Sequence, residues 1–165
     1  MHPAALLARC ESRLANLDVP HPFDLTTFCA RLSERRARLI VLLPTEIAAD
    51  SHSGMWIKGE RQDYIVFERT TTPLHQTHIA LHEIGHLLCE HTSPLPPADA
   101  HLDRLFPTLD PELVRSALSR AGYSTGDETE AELLASLILR RAHLNPGPPP
   151  ATPTERILRR LESGL

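Results

Sequence analysis

The sequence predicts an α+β fold, in which a small three-stranded antiparallel or mixed sheet packs on a central helix and on further helices. Apolar residues recur at helical spacing in the first 36 residues and again near the C-terminus, whereas three short runs between residues 38 and 67 have strand character. A chain of 165 residues fits one domain with a single substantial core. We therefore expect one domain over residues 1–144, with N-terminal helices over residues 1–36 and a core over residues 38–142.

Two helices are predicted before the sheet. Apolar side chains recur every three or four positions over residues 6–17, and Pro20 and Pro22 then break the pattern. Asp24 has the side chain of a typical N-cap, and the apolar pattern after it predicts a second helix that runs to Arg36.

Three short strands follow at residues 38–43, 55–57 and 64–67, each rich in aliphatic or aromatic residues. Pro44 ends the first strand, and Gly54 precedes the second. The third strand leads into the central helix, and the sequence leaves two placements open for it. It forms the edge of the sheet, where an extended substrate adds as a further strand, or it lies inside the sheet.

The central helix carries the most informative pattern in the chain, His-Glu-Ile-Gly-His at residues 82–86. Histidines four residues apart share a helix face, so both imidazoles can reach one ion. Glu83 lies beside them, where a carboxylate can take a proton from metal-bound water. Thr72 as N-cap and Pro73 at the first helical position predict where this helix begins. A purely structural core helix would leave the three polar side chains unexplained.

A catalytic zinc site needs a third protein ligand beside the two histidines and leaves the fourth position open for water. His91 follows His86 by five residues and points away from it on an unbroken helix. Cys89 lies too far along the helix axis to share an ion with His82, which predicts a packed core thiol. The remaining candidates are carboxylates on a core helix predicted over residues 128–142.

Glu128 is the first candidate for the third ligand. Glu130 and Glu132 are both expected to be solvated, with Glu130 the second choice for the ligand. Glu128 heads a stripe of small residues that would let its helix approach the central helix closely at Gly85. The stripe continues through Ala131, Ala135, Ile138 and Ala142. Residues 125–128 also spell a capping box, in which Glu128 would bond to a backbone N–H instead. The spacing alone leaves both roles of Glu128 open.

The other C-terminal segments have simpler patterns. A proline-containing connection separates the central helix from a helix that begins at Asp110-Pro111 and ends near Gly122. Residues 145–165 predict a proline-rich linker followed by a short amphipathic tail.

Charge and composition exclude several classes of partner. The net charge of −4 and the pI near 6.2 give no basic field, so direct binding of nucleic acid is not expected. No apolar run reaches membrane-spanning length, and charged residues interrupt the N-terminal segment, unlike a signal peptide. We expect a cytoplasmic protein that does not bind membranes. Three scattered cysteines predict reduced thiols, namely Cys10, Cys29 and Cys89.

The chain resembles the ImmA/IrrE family of metallopeptidases. In that family an HExxH helix, often with a histidine five residues on, precedes a helix that reads roughly ExxAxxFAxxLL. The resemblance spans about residues 38–142, aligns the family's glutamate with Glu128, and has Leu134 at the family's aromatic position. It is carried by the runs at residues 54–56, 64–68, 79–91 and 128–135.

The resemblance implies a zincin-like, gluzincin-like fold with Zn²⁺ held by His82, His86 and Glu128, and with Glu83 as the catalytic base. It also implies an endopeptidase of narrow specificity that cleaves a helix-turn-helix transcriptional repressor or a similar regulator. The alternative is a zinc-binding regulatory or sensor module that binds a regulator without proteolysis. A closed structural zinc site would not need Glu83. Peptidase chemistry also requires an oxyanion donor, for which the candidates are Tyr123, His91, His101 and His143.

Overall fold

The computed structural model describes residues 2–47, 52–59, 61–91 and 122–144. Within these residues the fold is α+β, as predicted, with four helices and three strands. They are α1 (Pro3–Ala15), α2 (Leu25–Arg36), β1 (Leu39–Thr45), β2 (Gly54–Lys58), β3 (Gln62–Glu68), α3 (Pro73–Cys89) and α4 (Thr125–Leu144). None of the described helices is both long enough and apolar enough to cross a membrane. The helix predicted after Asp110 and the predicted linker and tail lie outside the described residues.

The three strands form a mixed sheet in the order β1-β3-β2. β1 runs parallel to β3, and β2 runs antiparallel to it. Because β3 lies in the middle, the internal placement of the third predicted strand is correct and the edge placement is wrong. Residues 63–67 of β3 are all buried, which explains the continuous apolar character of residues 64–67.

The first strand extends past its predicted end, because Pro44 belongs to β1. The N–H of Arg69 donates to the carbonyl of Thr45, so the backbone of Thr45 faces β3 and that of Pro44 faces the other side. β1 is an edge strand of the sheet, and a proline there forfeits no ladder hydrogen bond.

Side-chain caps begin the two helices for which the sequence predicts them. The carboxylate of Asp24 accepts the N–H of Thr27 at 2.6 Å at the start of α2. The hydroxyl of Thr72 accepts the N–H of His75 at 3.3 Å at the start of α3, and Pro73 occupies the first helical position. Both starts agree with the sequence prediction.

α3 lies at the centre of the described core. It contacts β2 and β3 as well as α4, while α1 packs on α4 and α2 packs on β1. A Cβ atom at Gly85 would lie only 2.8 Å from the carbonyl oxygen of Ala131, so α3 and α4 meet backbone to backbone. This is the close approach that the stripe of small residues predicts, and the stripe residues Ala131, Ala135, Ile138 and Ala142 are buried.

We expect Ala37→Gly to raise the free energy of unfolding by about 0.5–1 kcal/mol. Ala37 ends α2 in the left-handed conformation with a φ of 48°, which strains any residue with a Cβ and suits glycine. Ala30→Gly is the matched control, because Ala30 is exposed inside the same helix, where glycine should cost about 1 kcal/mol. Urea unfolding of both variants measures the two effects, and shifts of the same sign would contradict this account.

Candidate metal centre

α3 and α4 bring three donor side chains together, which we call the candidate metal centre: His82, His86 and Glu128. His82 Nε2 lies 3.1 Å from His86 Nε2 and 3.1 Å from a carboxylate oxygen of Glu128. The other oxygen of Glu128 lies 3.8 Å from His86 Nε2. Tetrahedral ligands at the usual zinc distance of about 2.0–2.1 Å are about 3.3 Å apart. The three donors therefore have the spacing to hold one metal ion.

The outer ring nitrogens of both histidines also have partners. His82 Nδ1 lies 3.2 Å from Glu132, and His86 Nδ1 lies 2.9 Å from the Nδ1 atom of His91. A carboxylate beside His82 Nδ1 favours a hydrogen on that atom, which leaves a lone pair on Nε2. The lone pair of His82 Nε2 then faces His86 Nε2 and the Glu128 carboxylate.

Burial keeps the imidazole of His86 in its neutral form. The side chain of His86 is fully buried, and burial lowers its pKa to about 3, with further lowering from the neighbouring His82 and His91. His86 is therefore neutral across the physiological range, which is the form of imidazole that binds a metal.

Glu128 does not cap its helix. The Ser124 hydroxyl accepts the N–H of Asp127 at 3.2 Å and donates to the Asp127 carboxylate at 2.7 Å. The cap therefore lies one residue before Thr125, and the carboxylate of Glu128 is left to contact the two histidines. The capping role that the sequence leaves open for Glu128 is wrong.

The two neighbouring glutamates differ from the prediction. Glu132 is half exposed, but its carboxylate contacts both His82 and His78, the latter at 3.3 Å. Glu130 is buried and forms a two-pronged ion pair with Arg9 at 2.7 Å and 3.2 Å. Neither glutamate is merely solvated, and Glu130 lies with Cys89 and His91, so the structure does not bring the second choice for the third ligand to His82 and His86.

His91 also departs from the prediction, because the helix does not continue to it. α3 ends at Cys89, and Glu90 takes the left-handed conformation with a φ of 56°. The chain turns back, the N–H of His91 donates to the carbonyl of His86, and the two imidazoles contact each other. Cys89 is half-buried beside His91 and Glu130 and does not contact the candidate metal centre.

Glu83 is buried between α3 and the sheet. Its carboxylate accepts the backbone N–H of Trp56 on β2 at 2.9 Å. Burial raises the pKa of Glu83 to about 8, the Trp56 N–H opposes that shift, and the Glu128 carboxylate adds to it. Gly54 makes this contact possible, since a Cβ there would lie 2.5 Å from Ile79 and 3.0 Å from Glu83.

Tyr123 covers one face of His86. Their rings are stacked with centroids 3.6 Å apart and planes 16° apart. The Tyr123 hydroxyl is buried without a hydrogen-bond partner among the described residues. Burial raises the pKa of Tyr123, and Glu83 and Glu128 add to the shift, so the hydroxyl keeps its proton.

The other predicted oxyanion donors do not reach the candidate metal centre from a suitable side. His91 contacts the outer nitrogen of His86 and not the inner one. His143 is exposed near the end of α4, 15 residues after Glu128, or about 22 Å along the helix. His101 lies outside the described residues.

Removal of Glu128 should abolish tight metal binding. In Glu128→Ala we expect the affinity for Zn²⁺ to fall by more than about 100-fold, which exceeds the usual effect of removing a group that only orients a ligand. Ser124→Ala is the matched control, because losing the cap should cost about 0.5–2 kcal/mol of stability and leave zinc affinity unchanged. Competition with a chromophoric chelator gives the affinities. Tight zinc binding by Glu128→Ala would exclude Glu128 as a ligand.

Glu83→Gln should change how the stability of the metal-free protein depends on pH. The pKa of Glu83 is about 8 in the folded state and near 4.5 when unfolded, so the folded state binds more protons between these values. The carboxyl therefore destabilises the fold progressively as pH rises from 4.5 to 8. We expect Glu83→Gln to gain on the order of 1–3 kcal/mol over wild type between pH 5 and pH 8. Urea unfolding in chelator measures this, and a pH-independent difference would contradict it.

Comparison of the chain with protein-family models, with curated proteins and with solved structures finds no match.

Proposed function

We propose that this chain is a zinc-dependent endopeptidase of narrow specificity that acts on a cytoplasmic regulatory protein. The convergence of His82, His86 and Glu128 beside the buried carboxylate of Glu83 carries the proposal. The resemblance to the ImmA/IrrE family supports it, because that family pairs the same motif with a downstream glutamate.

The donor set favours zinc over other common ions. Two imidazole nitrogens and one carboxylate oxygen form a ligand set typical of catalytic zinc, whereas calcium and magnesium prefer oxygen ligands throughout. Three protein ligands leave one tetrahedral position open. Glu128 is about 44% exposed, so solvent can approach the centre from the α4 side.

The chain's own residues have separate roles in this mechanism. Zinc bound by His82, His86 and Glu128 would supply Lewis acidity toward water and toward a peptide carbonyl. Glu83 takes the proton of the attacking water and returns it to the leaving amine. Tyr123 donates its unpartnered hydroxyl hydrogen to the developing oxyanion. A divalent cation held by these three residues would also lower the pKa of Glu83 and so favour the carboxylate form that a base requires.

β2 is the strand best placed to bind an extended substrate. In the described part of the chain β2 pairs with β3 alone, so no described strand pairs with its other side. The carbonyl of Ser53 accepts the N–H of Glu68, and the N–H of Gly59 donates to the carbonyl of Gln62, so the backbones of Ser53 and Gly59 face β3. Because the backbone groups of successive strand residues face opposite sides, the N–H and C=O of Trp56 point away from β3. A substrate strand added there would pass beside Glu83, which already contacts Trp56. This assigns to β2 the role that the sequence considers for the third strand.

The substrate class rests on the resemblance. Better-known members of the ImmA/IrrE family cleave a helix-turn-helix repressor, and a regulator of that kind is our proposed partner. A cytoplasmic protease with a general specificity would damage its own host, which argues for a narrow one.

The second candidate is a zinc-binding sensor that holds a regulator without cutting it. One observation favours it: the Glu83 carboxylate is already occupied by the Trp56 N–H and is only 6% exposed. Proteolysis requires that carboxylate to reach water, whereas simple binding does not.

Glu83→Gln separates the two candidates, because it removes the general base and leaves the three proposed ligands intact. We expect it to retain zinc and to lose cleavage by several orders of magnitude. A cell extract is incubated with the zinc-loaded wild type or with the variant, and new protein N-termini are identified by mass spectrometry. Wild type should generate N-termini in one or a few proteins and should cut casein poorly. Identical N-terminus profiles for the two proteins would reject the peptidase and favour the sensor.

A further inference from the structure

A buried polar group behind the candidate metal centre has no partner that accounts for it. Only 6% of the His91 side chain is exposed, yet its Nε2 atom makes no hydrogen bond within the described residues. Two carboxylates lie just beyond hydrogen-bonding distance of this atom, Asp127 at 3.5 Å and Glu130 at 3.6 Å. The other nitrogen of the ring, Nδ1, lies 2.9 Å from His86 Nδ1.

When both rings are neutral, the contact between the two Nδ1 atoms holds one hydrogen, and two arrangements are possible. In the first, His86 donates to His91, so His86 Nε2 carries a lone pair toward the candidate metal centre. In the second, His91 donates to His86, so a neutral His86 must carry its hydrogen on Nε2. Only the first arrangement leaves His86 able to bind a metal, since a ligating nitrogen must be unprotonated.

The carboxylates behind His91 select the first arrangement. A neutral His91 that accepts at Nδ1 carries its hydrogen on Nε2, where it points toward Asp127 and Glu130. The second arrangement would place a bare Nε2 lone pair against two negative charges. Arg9 holds Glu130 through both of its guanidinium contacts, so the buried carboxylate stays in position.

We infer that His91 is a positioning residue for His86, and that Glu130, held by Arg9 of α1, fixes the tautomers of both imidazoles so that His86 presents a lone pair to the metal. The inference rests on the proposed metal site and adds to it a chain of contacts that begins at the N-terminal helix. Arg13 supports the same arrangement, because its guanidinium donates to the carbonyl of Leu88 in the last turn of α3 at 2.9 Å. α1 thus contacts the Glu130 carboxylate through Arg9 and the last turn of α3, just before His91, through Arg13.

A second metal ion at this place is the competing explanation. Donor atoms of Cys89, His91 and Glu130 lie within 4.8 Å of one another, close enough to hold an ion. Two facts disfavour it. Arg9 already neutralises Glu130 at 2.7 Å. A metal on His91 Nε2 would also force its hydrogen onto Nδ1, which produces the arrangement in which His86 cannot bind.

The test compares His91→Phe with His91→Asn in the full-length protein. Phenylalanine fills the space without accepting a hydrogen bond, whereas asparagine offers an oxygen acceptor near Nδ1. We expect zinc affinity to fall about 10–100-fold in His91→Phe and to stay within a few-fold of wild type in His91→Asn. Competition with a chromophoric chelator measures the affinity. The visible absorption of the Co²⁺-loaded protein should change in the phenylalanine variant and return toward wild type in the asparagine variant.

Controls separate positioning from folding and from the metal proposal itself. His143→Phe makes the same substitution at an exposed histidine of α4 and should leave both readouts unchanged. Thermal melting of the metal-free variants shows whether either substitution at His91 disturbs the fold. Wild-type affinity and a wild-type cobalt spectrum in His91→Phe would overturn the positioning role while His82→Ala still loses zinc. Two zinc ions per wild-type chain, reduced to one by Cys89→Ser, would replace it with a second metal site. A wild type that binds no zinc would reject both proposals.

Discussion

The contact between Gly85 of α3 and Ala131 of α4 sets the geometry on which the candidate metal centre depends. No side chain separates the two helices at this point, since even one Cβ atom would lie 2.8 Å from a carbonyl oxygen. His82 and His86 flank Gly85 along one face of α3, and Glu128 lies one turn before Ala131 on α4. Backbone contact at the crossing therefore brings a carboxylate on one helix within 3.8 Å of two imidazoles on the other. A larger residue at either position would separate the donors.

The pKa values of two buried groups on α3, Glu83 and His86, shift in opposite directions in the same low-polarity surroundings. Burial raises the pKa of Glu83 to about 8 and lowers that of His86 to about 3, because in each case the neutral form is favoured. Without an ion, α3 thus holds these adjacent polar groups uncharged. A bound cation favours the ionised carboxylate, so the electrostatic state of Glu83 is coupled to occupancy of the candidate metal centre.

Much of this arrangement was predictable from local sequence signals. The starts of α2 and α3 follow from their caps, and the stripe after Glu128 predicts close packing at Gly85, because each depends on spacing within one helix. The features that sequence reasoning missed depend on tertiary contacts or on a single backbone angle. The left-handed Glu90 returns His91 to His86, and a glutamate gives little indication that it will adopt this conformation.

Contacts between distant segments of the chain were equally unpredictable from the sequence. Nothing near Glu130 in the sequence indicates that its partner is Arg9, 121 residues earlier. The order of the described strands, which places β2 beside β3 at one edge and near Glu83, is likewise not encoded in the pattern of any one strand. The residue pattern predicted the three side chains of the candidate metal centre, whereas the tertiary contacts show which other side chains touch them. The cap at Ser124 was partly predictable. A serine three residues before Asp127 is a recognisable cap signal, but Thr125 with Glu128 offers a competing one.

The long separation between Arg9 and Glu130 has a consequence for the order of assembly. A growing chain presents α1 first, the two histidines of α3 much later, and Glu128 after a further 42 residues. Until α4 has emerged, His82 and His86 lack the Glu128 carboxylate, and Arg9 of α1 lacks its partner Glu130. The candidate metal centre is therefore completed only after both ends of the described core have met, so its three donors cannot assemble in a chain that ends before α4.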